Sequence, residues 1–269
     1  MPEVETLKND LSPRTIGRKI REIQIRHGRI FRKISSRAFS KQSLLGKKIV
    51  GLQRRGKALL FSLDTREILV IRLGMTGQVT VSPEQIGMPD KHTHLVLTLE
   101  GGARLFFRDV RRFGQVFLSP LSEVEGFLQM GPEPLHDGFQ LSHLHQILNS
   151  AMRIKTLLMD QRKVAGIGNI YSDEILFRAG INPLRAASSL SSHEMKRLYH
   201  AIRKVLREGI RKRGSTIRDF RDGLGKPGRY QRYFRVYQRR GQKCVICKTP
   251  IERVRLGGRS SHFCPCCQH

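Results

Sequence analysis

Residues 47–82 read KKIVGLQRRGKALLFSLDTREILVIRLGMTGQVTVS. Four short runs rich in Val, Ile, Leu and Phe stand between Gly-, Asp- and Lys-containing breakers. They are too short for helices and rich in residues that suit a pleated, half-buried surface. The pattern continues through HLVLTL, ARLFFRDV and GQVFLS to about residue 118. Closely spaced strands of this kind predict an antiparallel β-sandwich or barrel.

On the N-terminal side, residues 4–11 place Val4, Leu7 and Leu11 on one helical face, and Pro13 limits how far that helix runs. Residues 119–136 carry three prolines and two glycines and read as a linker. Beyond them the period becomes helical. Residues 141–161 read as one amphipathic segment, followed by the tight loop VAGIGN and then IYSDEILFRAG, which stops at Gly180. Ser191-x-x-Glu194 is a capping box that opens a helix running to about Lys212. Helices joined through Gly166 and Gly168 are similar to a helix-two-turn-helix DNA module. The expectation is an α+β multidomain chain: an N-terminal antiparallel β-sandwich (1–118), the linker, a helix-two-turn-helix helical domain (137–230) and a C-terminal zinc-finger β-hairpin (235–269).

The 269 residues include 50 Lys+Arg against 22 Asp+Glu, a formal charge of +28. A polyanionic partner, most simply nucleic acid, follows from that balance, with binding that falls steeply with salt; a ribosome-like or merely sticky basic protein is the other class it allows. Apolar residues make up 39% of the chain, enough for real cores. No stretch approaches the ~18 apolar residues of a membrane span, so a cytoplasmic protein with access to a bacterial chromosome is expected. Between Arg211 and Lys243, twelve Lys/Arg face two acids and interleave with Phe220, Tyr230, Tyr233, Phe234 and Tyr237. That mixture suits phosphate contact with base stacking, or a solvated basic loop; Gly223, Gly225 and Gly228 would make it mobile.

All five cysteines follow residue 243. Cys244-x-x-Cys247 and Cys264-x-x-Cys267, two knuckles 16 residues apart, can converge four thiolates on one structural Zn²⁺. Cys266 falls outside the knuckle spacing and is expected to be a bystander.

Met1-Pro2-Glu3, Arg54-Arg55-Gly56-Lys57, Leu73-Gly74-Met75-x-Gly77, Lys91-His92-x-His94, Asp109-Val110-Arg111-Arg112-Phe113-Gly114, Gly131-Pro132-Glu133-Pro134-Leu135, Gly166-Ile167-Gly168-Asn169-Ile170-Tyr171 and the two knuckles occur in this order. Together, across essentially the whole chain, they resemble the formamidopyrimidine-DNA glycosylases, bacterial repair enzymes that remove oxidised purines. The resemblance implies a monomer acting on double-stranded DNA that contains oxidised bases, bound in a cleft between its domains. It implies a glycosylase and AP lyase in which Pro2, freed of Met1, attacks the sugar C1′ and forms an iminium. The electron sink then permits β- and δ-elimination. An α-amino group has an ordinary pKa near 8, against ~10.4 for Lys, so a usable neutral fraction exists at pH 7.

Glu3 can shuttle protons beside that amine, or simply be an acid at a helix N-terminus. By resemblance Lys57 touches the phosphate beside the lesion, His92 is a DNA phosphate contact, and Arg259 in the zinc-hairpin turn clamps a second phosphate and donates a proton for δ-elimination. Asn169, at a helix start, can cap the helix while neighbouring N–H groups bind phosphate. Met75, Arg111 and Phe113 match the family's wedge, which fills the stack left by a flipped base. For Met75 alone, gap-filling in a core is the competing reading.

Two departures stand out. The family's usual opening, Pro-Glu-Leu-Pro-Glu-Val-Glu-Thr, is here Pro2-Glu3-Val4-Glu5-Thr6: either three residues are missing internally, or the start lies three residues late and Met1 stands at a Leu position. The usual Val-Tyr-Gly before the zinc finger is Val236-Tyr237-Gln238. The rival readings are an endonuclease VIII-like enzyme of the same architecture and a non-catalytic zinc-finger nucleic-acid binder.

Overall fold

A computed structural model describes residues 1–26, 30–31, 42–82 and 89–269. Its contacts divide the chain into two compact units, one of Pro2–Leu128 with Lys212–Arg229, the other of Met1 with Gln129–Arg211 and Tyr230–His269.

The first unit opens with α1 (Pro2–Thr15) and then strands β1 (Ile20–Ile25), β2 (Ile49–Arg55), β3 (Ala58–Leu63), β4 (Glu67–Arg72), β5 (Gly77–Ser82), β6 (Thr93–Leu99), β7 (Arg104–Asp109) and β8 (Gln115–Pro120). They form two four-stranded antiparallel sheets, ordered β1-β6-β7-β5 and β2-β3-β4-β8. The sandwich expected from the strand runs is therefore present. β1 has no counterpart in that expectation, because its sequence IREIQI is half polar and a register shift between Ile20 and Glu22 breaks the alternation. One apolar core holds Leu7 and Leu11 of α1 with Phe61, Leu69 and Phe107 of the sheets. The helix also runs two residues beyond Pro13. A proline forfeits only its own N–H, and here its ring falls in the last turn.

Residues 121–128 of the expected linker form a helix, α2 (Leu121–Leu128), which buries Val124 and Leu128. In the second unit, α3 (Leu141–Leu148), α4 (Ile154–Met159), α5 (Asn169–Ala179) and α6 (Ser192–Arg211) enclose a separate core around Leu144, Ile154, Leu157, Ile175 and Ile202. The single helix expected over 141–161 is two helices. Between them Ile154 N–H bonds Arg185 C=O at 2.8 Å and Ala187 N–H bonds Met152 C=O at 2.8 Å, so the backbone pairs with residues 185–187 instead of continuing the helical ladder. Gly180 ends α5 in the left-handed region (φ 68°), and the Ser191/Glu194 box opens α6 with reciprocal bonds of 2.8 and 3.3 Å. The chain ends in the hairpin β9 (Glu252–Leu256) and β10 (Arg259–Phe263), turned by Gly257 and Gly258, both at positive φ.

Candidate nucleic-acid interface and metal centre

The pleat of β7 decides the geometry of the first site. Leu105 and Phe107 point into the core, so Asp109, two residues on, is carried inward as well and is fully buried. Its carboxylate accepts from the Thr76 hydroxyl, from Gly114 N–H at 2.6 Å and from Arg111 N–H at 3.3 Å. Its carbonyl accepts from His94 Nε2 at 2.7 Å. One buried acid thus ties the β4–β5 loop to the β7–β8 loop. Gly74 lets the loops touch: at φ 63° it backs onto Phe113 and Gly114, where a Cβ would stand 2.8 Å from their backbone. Held on these loops, Met75 (59% exposed) and Phe113 (55%) stand in water, and the Arg111 guanidinium lies 4.7 Å from the Phe113 ring centroid. Exposure on this scale removes Met75 from the core-filling reading.

The other residues of this unit sit apart from that wedge in sequence. Lys57 is half-buried between Gly56 and β3, and His92 is half-buried in the turn before β6. Asp90 in that turn is pulled down to about 2: although burial raises it, hydrogen bonds from Arg108, Thr93 and His92 N–H prevail. Burial likewise raises Glu5, but Lys8 and Arg54 outweigh it and hold the carboxyl low. Pro2 is buried at the start of α1, and Glu3 accepts from Ser215 N–H at 2.9 Å. The segment around Ser215 is hydrogen-bonded to the rest of this unit. Arg213 bonds Asp10 and the buried Asp222 at 2.6 Å each, and Val81 N–H bonds Gly223 C=O at 2.9 Å. Gly223 permits the approach, since a Cβ there would meet Asp10 Cβ at 2.6 Å.

In the helical unit, Gln161 staples the glycine loop: its amide donates to Ile167 C=O at 2.9 Å and accepts from Gly166 N–H at 2.8 Å. Gly168, not Asn169, is the N-cap of α5, with no side-chain cap bond. Asn169 is the first helical residue, and its Oδ1 is buried without a protein donor. The Met1 amine donates to Gly166 C=O at 2.8 Å, and the Met1 side chain is buried in this unit's core.

Arg259 is exposed and is the first residue of β10, just after the Gly-Gly turn. Below it lies a fully buried pair, Lys155 Nζ to Asp173 Oδ1 at 2.7 Å, with Lys155 also bonding Ser260 C=O at 2.8 Å. Burial lowers the Lys155 pKa, partly offset by Asp173, while Arg259 adds to the lowering. Asp173 further accepts from His262 N–H at 2.9 Å, locking the hairpin onto α4 and α5. Glu174 accepts from the backbone N–H groups of Arg235, Val236 and Tyr237. Sequence pattern assigns no role to Asp109, Gln161 or Lys155. The one signal is a charge on an otherwise apolar face, as with Asp109 in step with Leu105 and Phe107, and Gln161 carries none.

The thiol sulfurs of Cys244, Cys247, Cys264 and Cys267 lie within 4.8 Å of one another, with 3.4 Å between Cys247 and Cys264 and 3.9 Å between Cys244 and Cys267. A tetrahedral zinc with bonds of ~2.3 Å requires sulfurs ~3.8 Å apart, so the donor set fits. Hydrogen bonds from Thr249 draw Cys247 down to about 5, whereas burial pushes Cys264 and Cys267 up. Cys266 is exposed and outside the cluster.

Exposed Met75 and Phe113 on loops braced by a buried acid, a glycine-loop helix start and a four-thiol cluster on a +28 chain suit a zinc-finger nucleic-acid-binding protein. Three family models match: the formamidopyrimidine-DNA glycosylase N-terminal domain over residues 1–116, its H2TH domain over 130–221, and the zinc finger found in FPG and IleRS over 241–269. The formamidopyrimidine-DNA glycosylase of Carboxydothermus hydrogenoformans is 43% identical, over 100% of this chain and 98% of its own; that of Moorella thermoacetica is 47% identical over 95% and 94%. Similar solved structures include MutM (Fpg) from Thermus thermophilus (TM-score 0.88, 40% identity, 100% and 98% covered) and Lactococcus lactis Fpg in complex with abasic-site DNA (TM-score 0.91, 33%, 100% and 99%). The chain belongs to the formamidopyrimidine-DNA glycosylase family.

Proposed function

We propose that this glycosylase excises oxidised purines, 8-oxoguanine and formamidopyrimidines, from duplex DNA as a monomer, and cuts the strand by β,δ-elimination through a proline iminium. The exposed Met75–Arg111–Phe113 wedge carries the reading. An exposed Met and Phe beside a stacked cation suit insertion into a duplex, where apolar groups fill the vacated stack and Arg bonds the orphaned base. Lys57, His92, Asn169 and Arg259 supply phosphate contacts. The buried Asn169 Oδ1 has no protein donor, and the exposed Arg259 guanidinium can hydrogen-bond a departing phosphate during δ-elimination. One zinc on the four cysteines holds the Arg259 hairpin and takes no part in the chemistry.

The attacking proline has two candidate frames. Freeing the Pro2 amine requires removal of Met1. That deletes a side chain 3% exposed and the donor to Gly166 C=O, at a cost of ~2–5 kcal/mol by analogy with large-to-small core substitutions. In the other frame Met1 is an internal position and the attacking amine belongs to a Pro-Glu pair three residues upstream. That frame keeps Met1 in the core, and it leaves Glu3 its hydrogen bond to Ser215 as a structural acid. Borohydride trapping on an 8-oxoguanine duplex, with this chain and a three-residue-extended version, tests both. A covalent adduct with either supports the lyase, a stronger adduct from the extension selects the upstream amine, and no adduct from either leaves only a binder.

A further inference from the structure

The surface of α6 carries a run of cations that lesion recognition does not use. Lys196, Arg197, His200, Lys204, Arg207 and Arg211 are all exposed. At 100° per residue they fall within an arc of about 100°, a single stripe ~22 Å long from Lys196 to Arg211. The opposite face, Leu198, Ala201, Ile202, Val205 and Leu206, is buried against α5 and α3, so the stripe faces away from α5, whose first residue is Asn169. The two acids of α6 do not neutralise it. Glu194 is held by Arg185, and Glu208 by Arg178 at 2.9 Å, each arginine coming from outside the helix. Among the described residues Lys196, Lys204, Arg207 and Arg211 have no acidic partner. Tyr199 and Ile210 flank the stripe in a shallow pocket, and Arg203 beside them is anchored to Pro134 C=O at 3.1 Å.

We propose that the α6 stripe is a second DNA-binding surface, which holds the phosphate backbone of a duplex segment other than the one carrying the lesion. Cations three or four residues apart on a helix rise ~4.5–6 Å per step. One DNA strand presents a phosphate every ~3.4 Å along the axis, so the stripe spans about six phosphates of one strand. Contacts to phosphates contribute affinity without sequence or lesion preference. An enzyme that holds two segments at once can pass between them without dissociating fully.

The test replaces Lys196, Lys204, Arg207 and Arg211 together with Gln, alongside a charge-retaining control, Lys196→Arg with Lys204→Arg. For an undamaged duplex, the slope of log K against log salt should fall in magnitude by about 3.6 in the quadruple variant, at about 0.9 for each of four phosphates no longer neutralised, and stay unchanged in the control. Capture of a second, undamaged fluorescent duplex by protein already bound to immobilised lesion DNA should be abolished in the quadruple variant alone. Single-turnover excision on a short lesion duplex should be unchanged, which separates this surface from the lesion site. An unchanged slope, no second-duplex capture by the parent protein, or excision that falls in step with binding would overturn the proposal. Tighter capture of duplex RNA than of duplex DNA would overturn DNA as the occupant.

Discussion

At the scale of single residues, Asp109 governs the wedge without touching solvent. It satisfies Gly114 N–H and the Thr76 hydroxyl directly, and its removal would leave buried donors unpaired. Each such orphan costs about 1–3 kcal/mol. Asp109→Ala is therefore expected to lower stability by roughly 3 kcal/mol and to weaken lesion-duplex binding more than undamaged-duplex binding, because Met75 and Phe113 lose their shared brace. Urea midpoints and paired binding curves check this; equal weakening on both duplexes would detach Asp109 from the wedge. Gln238 offers the contrast of a residue under strain. Where the family usually has Gly, this chain holds a glutamine at φ 58°, tolerated because the preceding N–H groups of residues 235–237 are fixed by Glu174.

Among the elements, α6 shows how a short signal fixes a long helix. The Ser191/Glu194 box is legible because its bonds are local in sequence. Arg185, the partner that draws Glu194 down to about 2, is not. The Arg185 hydrogen bond leads that lowering, with burial opposing it and Ser191 adding to it. A depressed carboxylate stabilises the fold above its ordinary pKa of 4.5, and this contribution disappears as pH falls from there to about 2. Glu194→Gln should cost about 1–2 kcal/mol at pH 7 and progressively less toward pH 2, where the two proteins converge. Denaturant midpoints across that range measure it, and a cost that does not change with pH would remove the charge from the explanation.

For the whole molecule, two cores imply two responses. The four thiols sit in the unit that contains α3 to α6 and anchor a hairpin whose apolar cluster is small, Val236 and Ile251 with Phe177 of α5 and the cysteines themselves. Removing zinc from such a site removes folding free energy outright. Chelation should lower the melting of the helical unit while the sandwich unit, with its own core, keeps its transition. Cys264→Ser should behave as the chelated protein, and Cys266→Ser as the parent. Calorimetry with metal analysis decides this: a shift of both transitions together would show that the units melt as one, and zinc loss in Cys266→Ser would overturn the ligand set.

Features that repeat or close over a short distance are legible in the chain alone. Seven strands follow from runs of β-branched and aromatic residues, the α6 start from a four-residue box and the candidate metal ligands from two knuckles, whereas the Met75–Arg111–Phe113 trio is singled out only by the family resemblance. The fold in three dimensions settles the rest, because the partners are far apart in sequence. Arg213 reaches Asp10 across the chain, and residues 212–229 return to the sandwich unit, a placement that no local pattern in that glycine-rich segment announces. Lys155, an ordinary lysine in sequence, becomes a buried ion only because Asp173 and the β10 backbone meet it there. The helix expected across 141–161 breaks because residues 185–187 offer its backbone better partners than its own next turn. A buried charge or a broken helix is stable only with a partner that compensates it, and no local pattern encodes a partner that folding brings from elsewhere.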